Sequence, residues 1–330
     1  MAETQYDVTG IGNAIVDVLT QADDAFIADH GLEKGAMTLI DTETAEKIYG
    51  DMGSAVEVSG GSAANTIAGL ANLGARSAYI GKVAKDQLGE VFAHDIRAAG
   101  VNFDTPPLEG DATTARSMIL VTPDAERTMQ TYLGACVELG PEDVPDELIA
   151  ASEVVYLEGY LYDPPRAKEA FLKAAKVAEA AGRKVALSLS DPFCVERYRA
   201  EFLELLEGHV NILFANEDEI TSLYQVENFD DALQHVRGHC DIAALTRGSN
   251  GSVVVAGDEV HVVDAETVTN VVDTTGAGDS YAAGFLYGLS RGDDLATAAR
   301  IGGILAAEII SHYGARSESN LKELVAQKLG

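Results

Sequence analysis

The chain has 330 residues, 47% of them apolar and 23% charged, which is the composition of a globular protein large enough to hold a core without disulfides. Its 53 acidic and 23 basic residues leave a formal charge of −30, which argues against nucleic acid and anionic membrane as partners, because both are bound through Lys and Arg. The three cysteines, Cys136, Cys194 and Cys240, are too scattered for a disulfide framework or a CxxC metal pair, so a reducing cytoplasm is the expected location.

Met1–Gly10 carries Glu3 and Asp7 and lacks the basic and apolar regions of a signal peptide. Val8–Gly12 reads as an opening strand, and Ser62–Leu73 and Asp86–Ala99 read as helices. Between Thr113 and Tyr132 two β-like segments flank the turn Pro123-Asp124-Ala125-Glu126. The stretches 18–59 and 112–134 do not follow a strand–helix rhythm. They are expected to form one small β-rich lid together. From Ser152 the rhythm is regular: strands at Val154–Leu157, Lys184–Leu189, Val210–Phe214 and Ile242–Leu245, with helices at Pro165–Ala181, Val195–Glu207 and Glu217–Tyr224. Continuous apolar runs between helices predict strands buried on both faces, hence a parallel sheet in a doubly wound α/β core. Two long helices close the chain, about Ala277–Ser290 and Asp294–Tyr313. No 18-residue apolar run is present, so no membrane span is expected.

Four segments carry candidate chemistry. Thr274-Thr275-Gly276-Ala277-Gly278-Asp279 opens a helix with small residues, so bare backbone N–H groups and the helix dipole offer an anion site. An acid inside such a site repels a bound anion, but it makes sense as a base for an attacking hydroxyl. Read blandly, Asp279 is an acid in the first turn of a helix. Gly60-Gly61-Ser62-Ala63-Ala64-Asn65 opens another helix, where Asn65 offers donor and acceptor to a polyhydroxylated ligand. Gly10-Ile11-Gly12-Asn13-Ala14-Ile15-Val16-Asp17 lacks the third glycine of a dinucleotide fingerprint, which weakens an oxidoreductase reading. Asp17 there is suited either to sugar hydroxyls or to solvent. Asn216-Glu217-Asp218-Glu219 follows a buried strand and suits Mg²⁺ held through water, or simply an acidic first helical turn. No GxxxxGK[ST] loop and no GxSxG elbow is present.

Together these segments resemble the ribokinase-like, or PfkB, family of carbohydrate and nucleoside kinases, from Val8 to about Tyr313. Asp273–Asp279 with Ala283-Gly284-Phe285 is similar to the family's C-terminal signature, and Gly60–Asn65 stands where its N-terminal signature belongs. The resemblance implies one kinase domain over residues 1–330, with a three-layer α/β core, a mainly parallel sheet and the β-rich lid. It implies ATP and Mg²⁺ as cofactors, leaves a monovalent cation open, and suits a monomer or a homodimer. The sequence leans toward the adenosine-kinase branch: Gly12-Asn13 with Asp17, Ile67 after Asn65-Thr66, and Ser188-Leu189-Ser190-Asp191-Pro192-Phe193 are similar to it, whereas Thr275 departs from its eukaryotic members. By this resemblance Asp279 is the base, and Gly276, Ala277 and Gly278 stabilise charge with Arg127 as a clamp on the phosphate. Asn13, Ile15, Asp17, Gly61, Ser62, Asn65, Tyr160 and Phe193 hold the acceptor. Asn216, Thr246, Gly248, Gly251 and Thr274 serve the nucleotide, and Glu219 serves Mg²⁺ through water. The acceptor is expected to be adenosine, with inosine or guanosine, a sugar such as ribose or fructose, and non-catalytic nucleoside binding as alternatives.

Overall fold

The computed structural model describes residues 4–124 and 126–330. The chain opens with β1 (Tyr6–Ile11) and passes through Gly12, Asn13 and Ala14 directly into β2 (Ile15–Gln21). Then come α1 (Asp24–Asp29), β3 (Met37–Leu39), α2 (Thr42–Asp51) and β4 (Val56–Gly60). Asp23 and Asp41 start the two helices by accepting from the Phe26 and Thr44 N–H groups. α3 (Ser62–Leu73), β5 (Ser77–Ile80), α4 (Gln87–Ala98) and β6 (Asn102–Phe103) follow. β7 (Ala115–Val121) and β8 (Arg127–Tyr132) form an antiparallel pair; Ala125 of the expected turn between them lies outside the described residues.

The second half alternates as the apolar runs predict. It comprises α5 (Asp146–Ala150), β9 (Ser152–Glu158), α6 (Pro165–Ala180), β10 (Lys184–Ser188), α7 (Pro192–His209), β11 (Ile212–Asn216), α8 (Glu217–Tyr224), α9 (Phe229–Val236) and β12 (Ile242–Thr246). An antiparallel pair, β13 (Ser252–Ala256) and β14 (Glu259–Val263), extends the sheet before α10 (Ala277–Ser290), α11 (Leu295–Ile309) and α12 (Leu321–Leu329). α7 begins three residues before its expected start, because Pro192 takes the first helical position and the Asp191 carboxylate accepts from the Cys194 N–H. Phe193 therefore lies in a first helical turn rather than at a strand end.

The nine-stranded sheet runs β14-β13-β12-β11-β10-β9-β1-β5-β6, and every pair from β12 to β6 is parallel. Side chains alternate across it: Tyr156 belongs to the core layer formed with α3, α4, α10, α11 and α12, while Val155 and Leu157 belong to the one formed with α5 to α9. The result is a three-layer α/β core. Close packing of α10 on α11 depends on missing side chains: a Cβ on Gly284 would come 2.8 Å from the Gly302 Cα.

The two irregular stretches meet in a second, five-stranded sheet, β3-β8-β7-β2-β4. Its boundary differs from the expected one. β2 belongs to it from Ile15, where Val16 and Val18 are fully buried while Ile15 and Asp17 stay partly exposed. The apolar run of β1 continues through this alternation, so the sequence shows no break where the chain changes sheet.

Candidate active site

Two helix N-termini converge on one cleft of about 1020 Å³. Each starts at a glycine with positive φ, Gly61 for α3 (96°) and Gly276 for α10 (77°), and no side chain among the described residues caps either start. A Cβ on Gly61 would lie 2.1 Å from the Asn13 carbonyl oxygen, so both the dihedral and the space require glycine. The Ala277 N–H is turned back onto the Thr274 carbonyl at 3.2 Å, which leaves Gly278 and Asp279 as the first N–H groups facing forward. Asp279 bridges the two helices: the Ser62 hydroxyl donates to its Oδ1 at 2.6 Å, and the Asn65 amide nitrogen donates to its Oδ2 at 3.2 Å. Removal from bulk water pushes the Asp279 carboxyl up to about 6, against the pull of those two donors and of the Arg316 charge.

A buried carboxylate holds this floor together. Glu158, at the end of β9, is 1% exposed. Its Oε1 accepts from the Asn13 side-chain amide at 2.7 Å, and its Oε2 accepts from the Ala63 N–H at the start of α3 at 2.8 Å. The Asn13 side chain thus faces Glu158 and acts as a support of the cleft wall. Burial pushes the Glu158 carboxyl up to about 7, although these hydrogen bonds favour the ion. A raised acid pKa means the folded state takes up a proton that the unfolded chain releases. The associated stability is present below about 4.5 and is lost as pH rises through 7. Glu158→Gln removes this titration and one acceptor. The variant should be less stable by about 1–3 kcal/mol at low pH, with the deficit shrinking between pH 5 and 8. Thermal melts of both proteins across that range check it; a deficit that grows with pH would contradict it.

One face of the second sheet lines the cleft, and its register sorts it into two rows. Asp17, Ser117, Thr131 and Leu39 lie opposite one another on β2, β7, β8 and β3. The next row on the same face holds Ile119, Met129 and Met37. All seven residues line the cleft, with Ile15 beside them. Met37 and Leu39 are about half exposed, at 48% and 51%. The core contributes Tyr160 after β9 and Phe193 in α7, and Phe193 is 76% exposed. Ser190, between them in the chain, has φ 71° and accepts from the Tyr160 N–H through its hydroxyl. A non-glycine residue in this region is strained, and such strain gathers at functional sites. Asp17 is pushed up to about 6 by burial, opposed by Arg316 and Arg127.

The far end of the cleft is formed by the C-terminal ends of β11 and β12. Asn216 and Glu219 form a reciprocal capping box: the Asn216 amide donates to Glu219 Oε1 at 2.7 Å, and the Glu219 N–H donates back to Asn216 Oδ1 at 2.8 Å. The acidic turn is therefore a helix start first. Burial pushes Glu219 up to about 7. Thr246, Gly248 and Thr274 line the cleft beside it, and Arg247 pairs with Glu217 at 3.1 Å. Two expected contacts lie elsewhere. Gly251 shapes the turn into β13, where a Cβ would meet the Val263 carbonyl at 2.0 Å. Arg127 does not line the cleft; its Nη1 pairs with Asp273 Oδ2 at 2.5 Å, and its guanidinium lies 5.6 Å from the Tyr313 ring centre. Asp273 in turn accepts from Thr275 and from the Gly314 N–H, so it ties the loop before α10 to the segment after α11. Burying Arg127 without Asp273 would strand a charge, and that fixes its direction.

The pattern for pfkB family carbohydrate kinases matches residues 36–322. The chain belongs to this family. It is a phosphotransferase with a hydroxyl acceptor. It is similar to the crystal structure of adenosine kinase from Sinorhizobium meliloti, with 55% identity, a TM-score of 0.91, and 98% of this chain and 100% of that one covered. It is similar to a probable sugar kinase from Rhizobium etli CFN 42, with 51% identity, a TM-score of 0.91, and 98% and 99% covered. The adenosine kinase of Saccharomyces cerevisiae is 28% identical over 333 residues, covering 92% of this chain and 94% of that one. Among the described residues no helix is long and apolar enough to cross a membrane.

Sequence reading of this family member missed Glu158, Arg316, Asp273 as an anchor, and the apolar row of the second sheet. Glu158 carried a signal, an acid closing the buried run Val154–Leu157 before a glycine. Arg316 carried none, since nothing nearby in the chain marks it.

Proposed function

We propose that the chain is an ATP-dependent nucleoside kinase, with adenosine as its foremost acceptor, transferring the γ-phosphoryl group to the ribose 5′-hydroxyl. The observation that carries this reading is the two-row face of the second sheet. The polar row at Asp17 suits ribose hydroxyls, and the apolar row of Met37, Met129 and Ile119 lines the same cleft as Phe193 and Tyr160. A free sugar needs only the first row. A purine has two apolar faces to bury and stacks on aromatic rings. The likeness to adenosine kinases at up to 55% identity supports the same choice.

In this reading Asp279 takes the proton from the hydroxyl, held in place by Ser62 and Asn65. The N–H groups of Gly278 and Asp279, left free in the turn that Gly276 and Ala277 form, face the charge that develops on the phosphoryl oxygens. Asp17, Gly61 and Asn65 orient the ribose. Asn216, Thr246, Gly248 and Thr274 border the nucleotide. Arg127 acts by holding Asp273 and the loop before α10. Mg²⁺ fits the far end of the cleft: Glu219 and Asp218 line it, and each Glu219 oxygen accepts only one hydrogen bond from Asn216, which leaves capacity for a metal-bound water. When bound there, the ion neutralises charge on the phosphates. The second sheet would close over the acceptor and exclude water.

The likeness to a probable sugar kinase makes a sugar acceptor the second reading. A coupled assay with adenosine, inosine, guanosine, ribose and fructose decides between them. The nucleosides should exceed the sugars in kcat/KM by about fivefold to a hundredfold, the equivalent of one base–aromatic contact. A sugar turned over faster than every nucleoside would overturn the proposal.

A further inference from the structure

The geometry points to Arg316 as a positioning residue for phosphoryl transfer: it sets which way the Asn65 amide faces and thereby delivers a donor to Asp279. The inference rests on the kinase reading above. Arg316 lies between α11 and α12, far from α3 in the chain. Its Nε donates to Asn65 Oδ1 at 3.2 Å, and Asn65 Nδ2 donates to Asp279 Oδ2 at 3.2 Å. A guanidinium has donors and no acceptor, while a carboxylate has acceptors only. With one on each side, the amide has a single satisfied orientation. Turned over, its NH₂ would meet the guanidinium and its oxygen would meet the carboxylate.

Arg316 is anchored from behind. Its Nη1 donates to the Ser59 hydroxyl at 2.5 Å and reaches Asp95 Oδ2 at 3.5 Å, and Asp95 also accepts from the Ser59 N–H and hydroxyl. Ser59 belongs to β4 of the second sheet and Asp95 to α4 of the core. One side chain therefore joins the second sheet, the core and the start of α3 to the proposed base. Nη2 is buried with no hydrogen-bond partner among the described residues. The guanidinium's positive charge also acts on Asp17 and Asp279 and opposes the upward shift that burial gives both carboxyls. The other charged groups acting on this pair are Glu158 on β9 and Glu219 on α8, which face Asp279, and Arg127 on β8, which faces Asp17, while Asp95 on α4 acts on Arg316 itself.

The test uses Arg316→Gln and Arg316→Lys in the full chain, checked for retained fold by circular dichroism. With the acceptor that turns over best, Arg316→Gln should lower kcat about tenfold, one hydrogen bond to a charged group, while KM for ATP changes less than about threefold. The acid limb of kcat/KM should move to higher pH, and Arg316→Lys, which keeps the charge, should return that limb toward the parent. In an Asn65→Ala background the further loss on Arg316→Gln should be small, since the two act in series. Additive losses in that cycle, or a lowered melting temperature with kcat and the acid limb unchanged, would overturn the positioning role. Carbon-13 titration of the Asp279 carboxyl gives a readout free of turnover. It should move upward in Arg316→Gln even if no acceptor in the panel reacts, and an unmoved titration would overturn the inference on its own. Failure of the panel with a moved titration would overturn the nucleoside-acceptor reading and leave the Arg316–Asn65–Asp279 arrangement standing.

Discussion

Replacing Asp279 by Asn should leave nucleoside and ATP binding in place and remove most turnover. Loss of a general base lowers the rate by about 10² to 10⁴. Asn has the same shape and keeps one oxygen for the Ser62 hydroxyl, so the junction of α3 and α10 should survive. The pH profile adds a second, independent mark. Burial raises this carboxyl to about 6, and it accepts a proton only when ionised. Parent kcat/KM should therefore fall about tenfold per pH unit below 6 and level off above it, and Asp279→Asn should lack that limb. Steady-state kinetics from pH 5 to 9, with isothermal titration for binding, measure both. A variant within about threefold of the parent would reduce Asp279 to an acid in a helical first turn.

Phe193→Ala is expected to separate a nucleoside from a free sugar. A base stacked on an aromatic ring contributes about 1–3 kcal/mol, so KM for adenosine should rise about fivefold to a hundredfold with kcat nearly unchanged. A core phenylalanine would instead lose about 3–5 kcal/mol of stability on truncation. Exposure decides what to expect here. Phe193 is 76% exposed in the first turn of α7, so its truncation should change stability by no more than about 0.5 kcal/mol. Thermal melting beside adenosine kinetics on the one variant checks both statements. An unchanged adenosine KM would remove Phe193 from the acceptor site, and with it one of the two walls that favour a purine.

Much of the architecture was legible from the chain. β9 to β12 are buried on both faces, so each appears as a short apolar run, and a parallel sheet follows from the helices between them. α3 and α10 were readable to the residue, because each starts where glycine is required and continues in small apolar residues. The same glycines pointed to an anion site, and Asp279 inside one pointed to a base.

What only the tertiary structure decided is which polar groups meet, and on which side of a strand water lies. Met37, Ile119 and Met129 alternate with their neighbours as core residues do. A period of two says that alternate side chains share a face, not that the face borders a cleft. Pairing β7 with β8 and β3 with β8 aligned them into a row, and that register is not written in any one strand. Glu158 reaching Asn13 and Ala63, Arg127 turning to Asp273, and Arg316 turning to Asn65 are contacts across large sequence separations. Each is fixed by the cost of burying a charge without a partner. That cost acts only once the chain has packed around the group, so local sequence marks Glu158 as a buried acid at most and names none of these partners.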